Sequence, residues 1–159
     1  MRELAVAIEQ EHPEDEELTI VPILTGAMIF AADLIRCIDL PLRINLMTVS
    51  SYPGKSLKSQ PAKVLQQQLS DVAGKHVLVV DDILDSGQTL ATVSSILNEL
   101  GAASVKTCVL LHKQLPEPAR HAADFIGFPI PDAFVVGYGL DYDNLYRNLP
   151  YIAVLKNPG

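Results

Sequence analysis

Of everything in the 159-residue chain, the run Val77-Leu78-Val79-Val80, ending in the adjacent carboxylates Asp81 and Asp82, most constrains the fold. A strand apolar at successive positions must be covered on both faces, as a central strand of a parallel sheet is when helices pack on either side. Ser86-Gly87 follows as a turn, and Leu90, Val93, Leu97 and Leu100 then recur at helical spacing until Gly101. The helix is expected to start at Thr89. Strand, turn and helix in this order form half of a parallel crossover unit, which needs further strands and helices around it.

The rest of the chain supplies them. Residues 1–11 read as a helix, and Glu14-Asp15-Glu16-Glu17 after Pro13 as a solvated acidic turn. Leu18, Ile20, Val21, Ile23 and Leu24 form a short buried strand that breaks at Thr25-Gly26, and residues 27–38 form a helix with Phe30, Leu34 and Ile38 on one face. Further strands fall at 42–49, 104–111, 134–136 and 151–155. Alternating strands and helices give one α/β domain over residues 1–159 with a mainly parallel sheet. From Ser50 to Ser70 the apolar period disappears into Ser, Lys, Gln, Gly and Pro; such a stretch is either an active-site flap or a disordered loop.

Composition narrows the possible partners. Twelve Lys and Arg against 19 Asp and Glu leave a net charge of −7, which argues against nucleic acid and anionic membranes. Glu9, Glu11, Glu14, Asp15, Glu16 and Glu17 are read as serving solubility. Cys37 and Cys108 lack the spacing of ligands or of a staple and read as reduced, buried packing residues. The absence of an apolar leader and of any 18-residue apolar run gives the expectation of a cytoplasmic protein.

The chemistry concentrates at residues 81–89. Ligands of such folds bind beyond the carboxyl ends of the strands. A helix start offers free N–H groups and the positive end of its dipole, Gly87 permits close approach, and Ser86 and Thr89 add hydroxyls, so the turn is a phosphate cradle. Asp81 and Asp82 suit sugar hydroxyls and Mg²⁺. A bland alternative makes Asp85 a helix N-cap. A phospho-accepting receiver domain is a poor fit, because only 77 residues follow Asp82. A P-loop hydrolase fits no better: Gly54-Lys55-Ser56 lacks the first glycine, Val49 standing in its place.

The segment from Val77 to Leu90 resembles the phosphoribosyl-pyrophosphate signature of type I phosphoribosyltransferases. Phe134 to Tyr142 and Tyr146 to Ile152 resemble the C-terminal hood of the hypoxanthine-guanine members, and Leu24-Thr25-Gly26-Ala27, Ala32 to Ile35 and Ser50-Ser51-Tyr52 fall where that family has its pyrophosphate loop, first helix and catalytic loop. The resemblance implies a central, mainly parallel five-stranded sheet flanked by helices, a hood mainly over 124–159, a flexible loop at about 50–70, and a homodimer or homotetramer. It implies Mg²⁺-dependent transfer from phosphoribosyl pyrophosphate to N9 of a 6-oxopurine.

By position it assigns Leu24, Thr25, Gly26 and Arg147 to pyrophosphate, and Ser51 and Tyr52 to the flap. Asp81 and Asp82 go to the ribose and Mg²⁺, Asp141 to a second Mg²⁺, and Asp85, Ser86, Gly87, Gln88 and Thr89 to the 5-phosphate. Asp85 is also the catalytic base near N7, Lys113 the donor to the 6-oxo group, Phe134 the stacking ring and Val135 an edge contact. Where the family usually has Lys in its pyrophosphate loop, this chain has Thr25. Tyr138, Tyr142 and Tyr151 read as structural. A transferase for xanthine or a pyrimidine, or an RNA-binding regulator on the same fold, stays open beside this reading.

Overall fold

The computed structural model describes residues 1–50, 63–69 and 71–156, with the backbone alone at 50 and 63–68. Its order is α1 (Arg2–Glu11), β1 (Leu18–Leu24), α2 (Met28–Ile35), β2 (Leu42–Ile44), β3 (Leu46–Ser50), β4 (Lys63–Gln68), β5 (His76–Leu84), α3 (Gln88–Glu99), β6 (Ser104–Lys113), β7 (Phe125–Ile130), β8 (Val135–Val136) and β9 (Ala153–Val154). The main sheet runs β4-β3-β1-β5-β6-β7, and β2 also pairs with β1.

Seven strands thus replace the expected five. The parallel part still has five lines, because β2 and β3 succeed one another along the same edge of β1, broken at Asn45, whose N–H bonds to Ile20 O. The added strand is β4, antiparallel to β3. It lies inside the 50–70 stretch whose sequence carries no apolar alternation. Phe125–Ile130, read with the hood from sequence, is instead the edge strand of the main sheet, parallel to β6. Within the stretch expected to form the hood, β8 and β9 make a separate small antiparallel pair.

Alternation along β5 divides the core. Leu78 and Val80 pack with Phe30 and Leu34 of α2 and Ala5 and Ile8 of α1, whereas Val77 and Val79 pack with Leu90, Val93 and Leu97 of α3. Helices on both faces bury Val77 to Asp81 of β5 and explain its unbroken apolar run. From β1 the chain moves toward β3, from β5 toward β6, so the order reverses between β1 and β5. A crevice opens at the carboxyl ends of strands there. Among the described residues no helix is long and apolar enough to cross a membrane.

The amino-terminal acids do more than solubilise. Glu9 accepts from the Asp39 N–H, Glu11 pairs with Lys106, Glu16 with His76 at 2.9 Å and Glu17 with Arg43, tying α1 and its acidic turn to the strands behind it. Cys108 is buried and Cys37 half-buried; both are free thiols.

Candidate active site

A cleft of about 890 Å³ occupies the crevice. Strand β5 runs through both carboxylates to Leu84 rather than stopping at Val80, so its alternation aims Asp81 to the α3 side and Asp82 to the α2 side. The Asp82 N–H donates to Asp81 Oδ1 at 3.0 Å. Across from Asp82 lies Gly26, where a Cβ would fall 1.9 Å from Asp82 Oδ2; the turn after β1, with a cis Leu24–Thr25 peptide, therefore needs glycine to approach the acid.

Burial, and next the neighbouring Asp82 charge, hold the Asp81 carboxyl well above the usual carboxylate range. Asp82 is raised too, chiefly by burial, with the Asp81 hydrogen bond and the Arg147 charge acting against the rise. A positive charge brought close to the two acids would oppose both the burial and the mutual repulsion.

Beyond β5 the chain turns through Asp85-Ser86-Gly87 into α3. Gly87 is the helix N-cap at φ +74 with no side-chain cap, so the N-cap alternative for Asp85 does not hold. A side chain at Gly87 would strike His121, whose N and O would stand 2.7 and 2.8 Å from its Cβ. The Arg120 N–H donates to Ser86 O at 2.9 Å and its guanidinium to Gln88 Oε1 at 2.7 Å. The connection from β6 to β7 thus braces this turn from behind, while the first N–H of α3, that of Gln88, donates to Ser86 Oγ at 3.4 Å and Gln88, Thr89 and Leu90 line the cleft. Asp85 instead takes a hydrogen bond from Lys113 Nζ at 3.1 Å, and Asp132 lies 3.6 Å from the same ammonium.

From the hood, Arg147 joins Asp141 at 2.8 Å and donates to Gly139 O at 2.7 Å, while Asp141 Oδ2 accepts the Asn144 N–H at 2.8 Å. The cleft gathers Leu24, Thr25, Gly26, Asp81, Asp82, Asp85, Ser86, Gly87, Gln88, Thr89, Asp141 and Arg147 of the residues singled out from sequence. Ser51 and Tyr52 lie outside the described residues. Lys113 lines a neighbouring cavity of about 250 Å³ that also touches Asp85. Phe134 and Val135 line neither cavity: Phe134 is 40% exposed and sits edge-on to Tyr142, ring centres 5.7 Å apart, and Val135 is buried.

Arg120, His121 and Asp132 carried no sequence signal, since their roles depend on a loop folding back over a distant turn. Asn144, which lines the cleft, could have been found from its place three residues after Asp141.

A family model for the phosphoribosyl transferase domain matches residues 1–143. The chain is 43% identical over 156 residues to the hypoxanthine-guanine phosphoribosyltransferase of Bacillus subtilis, covering 98% of this chain and 86% of that one. The chain belongs to the hypoxanthine-guanine phosphoribosyltransferase family. Another member, from Aquifex aeolicus, is 41% identical over 158 residues, covering 99% and 88%. Among solved structures, a hypoxanthine-guanine phosphoribosyltransferase from Bacillus anthracis with a HEPES molecule in its active site superposes with a TM-score of 0.89 at 39% identity, covering 98% and 91%. A hypoxanthine phosphoribosyltransferase from Staphylococcus aureus gives 0.89 at 40% identity, covering 98% and 84%. The expectations of a family fold and a mainly parallel sheet with flanking helices hold.

The resemblance read from sequence implies Mg²⁺, and the residues of the cleft fit that ion. Among the described residues no three acids or histidines converge as a ready-made metal cage. Mg²⁺ does not require one, because it commonly keeps waters and takes one or two carboxylates plus substrate phosphate oxygens. Asp81, buried, and Asp82, half-buried, are hard-oxygen donors on the wall of the cleft and fit such an ion.

Proposed function

We propose that this protein is a purine-salvage enzyme that transfers the phosphoribosyl group of phosphoribosyl pyrophosphate to hypoxanthine or guanine, forming IMP or GMP and pyrophosphate. One observation carries the reading: the buried strand-end acids, the glycine-opened helix start and the Thr25-Gly26 turn converge in a single cleft. Each recognises a different part of an activated ribose phosphate.

The N–H groups at the start of α3, with Ser86 and Thr89, bind the 5-phosphate. Asp81 and Asp82 accept from the ribose hydroxyls and would hold Mg²⁺, with Asp141 the residue that would hold a second ion; such an ion would supply charge neutralisation for pyrophosphate. Thr25 and Gly26 face the pyrophosphate from the opposite wall, together with Arg147. Asp85 takes the purine proton at N7 once Lys113 has exchanged that carboxylate for the 6-oxo group. A 6-amino base offers the ammonium no comparable acceptor, which sets the preference for oxopurines. Positive charge developing on the ribose carbon is stabilised by the surrounding carboxylates.

The working form is a homodimer or homotetramer in the cytoplasm. Offering hypoxanthine, guanine, xanthine, adenine and uracil in turn with phosphoribosyl pyrophosphate and Mg²⁺ tests the reading by nucleotide formation. Product from hypoxanthine or guanine supports it. Product from xanthine alone reassigns the base, and no nucleotide from any oxopurine, product from uracil or adenine alone included, overturns it.

A further inference from the structure

We propose that Tyr138 and Asp33 form a latch that holds the hood loop 137–147 in register with the pyrophosphate turn at Thr25-Gly26, making Tyr138 a positioning residue for pyrophosphate. The inference rests on the function proposed above and extends it to residues that do not line the cleft.

The Tyr138 hydroxyl donates to Asp33 Oδ2, joining positions 105 apart in sequence. Asp33 sits on α2, which starts at Met28, directly after the Thr25-Gly26-Ala27 turn. A helix is a stiff rod, so fixing Asp33 fixes the turn at its amino end. On the other side, Tyr138 lies between Gly137 and Gly139 in a loop where all three residues have positive φ, +96, +53 and +102. A bulky side chain rarely adopts that conformation, and it persists only where surrounding contacts enforce it.

Those contacts lead to the site. The Tyr138 N–H donates to Leu149 O at 2.9 Å and the Gly139 N–H to Arg147 O at 3.0 Å. Gly139 lies so close to the turn that a Cβ there would stand 2.2 Å from Gly26 O. Its own carbonyl accepts from Arg147 Nη1 at 2.7 Å, and Arg147 Nη2 reaches Asp141 at 2.8 Å. Tyr138 therefore sets Gly139, Gly139 sets Arg147, and Arg147 holds Asp141. Burial first, then Asp33, raise the phenol above its ordinary value, which keeps the hydroxyl a donor. Asp33 also meets the exposed Arg36 at 3.7 Å, a contact that cannot hold the hood.

The latch is tested by titrating inorganic pyrophosphate with Mg²⁺ into wild-type protein, Tyr138→Phe, Asp33→Ala and the double variant by calorimetry, with thermal unfolding of each. Asp33→Leu, which fills the space but has no acceptor, replaces Asp33→Ala if the latter does not fold. Each single change is expected to weaken binding about fivefold, and the double change no more than either, the signature of one shared contact. The unfolding midpoints stay within about 3 °C of wild type. In parallel assays KM for phosphoribosyl pyrophosphate rises while KM for the base does not. Unchanged pyrophosphate affinity, a lowered midpoint with unchanged affinity, effects that multiply in the double variant, or a wild type that does not bind magnesium pyrophosphate each overturn the latch. Nucleotide formation by the wild type tests the proposed function separately.

Discussion

Lys113 Nζ lies 3.1 Å from Asp85 Oδ2, so the two groups proposed to face N7 and the adjoining 6-oxo group of the purine are paired with each other. The Lys113 side chain is only 14% exposed, which removes it from the class of loose surface charges. Under the proposed function, binding a base replaces one partner of that ammonium by a carbonyl and frees Asp85 for N7.

Asp85→Asn preserves shape and removes the proton acceptor. General-base assistance of this kind is worth about 10²–10⁴ in rate. Turnover should fall by about a hundredfold or more with little change in the melting temperature, and steady-state kinetics beside thermal unfolding check both halves.

Lys113→Met keeps much of the aliphatic stem but removes the donor. A hydrogen bond from a charged group is worth about 1.5–3 kcal/mol, so KM for an oxopurine should rise at least about tenfold. Adenine should become a relatively better substrate. Competition between hypoxanthine and adenine measures the change.

Gly139→Ala forces a methyl group to within 2.2 Å of Gly26 O at φ +102. Neither backbone can yield without moving the hood or the turn, and a loss of about 2–3 kcal/mol of stability is expected. Urea unfolding reads it directly. A variant as stable as wild type would mean that the hood is not packed against the turn.

Thr107 is fully buried, and Asp124 Oδ2 accepts from both its N–H at 2.7 Å and its hydroxyl at 2.8 Å. Asp124→Ala strands those donors, a loss of about 1–3 kcal/mol. Because the contact pins β6 to the entry of β7, away from the carboxyl ends of the strands, KM values should not move.

Burial pushes the Cys108 thiol up to about 12. In the unfolded chain a thiol ionises near pH 8.5, so the folded form binds the extra proton between those values. Its stabilising contribution is complete below about pH 8.5 and is lost as pH rises toward 12. Stability of wild type should fall more steeply over that range than stability of Cys108→Ala, and a thiol reagent should modify half-buried Cys37 before Cys108 reacts.

Sequence revealed what local chemistry dictates. The double-sided burial of β5, the helix after Gly87 and the acids between them all follow from adjacent residues, and the stretch from Asp81 to Leu90 lines the cleft. Strand β4 escaped notice because the KVLQQQ run lacks alternation and pairs with β3 alone, at the edge of the sheet. Strand β7 was hidden by Gly127 and Pro129, and an edge strand tolerates both. The partners of Glu9, Glu11, Glu16 and Glu17, the brace of Arg120 and His121, and the reach of Tyr138 to Asp33 all join residues far apart in sequence. Such contacts arise from topology, which places the hood over α2 and the β6–β7 connection behind the phosphate turn.

The central claim is transfer to an oxopurine in the cleft between β1 and β5, and product stoichiometry tests it most directly. With hypoxanthine, phosphoribosyl pyrophosphate and Mg²⁺, the wild-type protein should form IMP and pyrophosphate in equal amounts, and a chelator should stop both. Release of pyrophosphate with ribose 5-phosphate and no IMP, or IMP formation that survives complete removal of divalent cations, would contradict it.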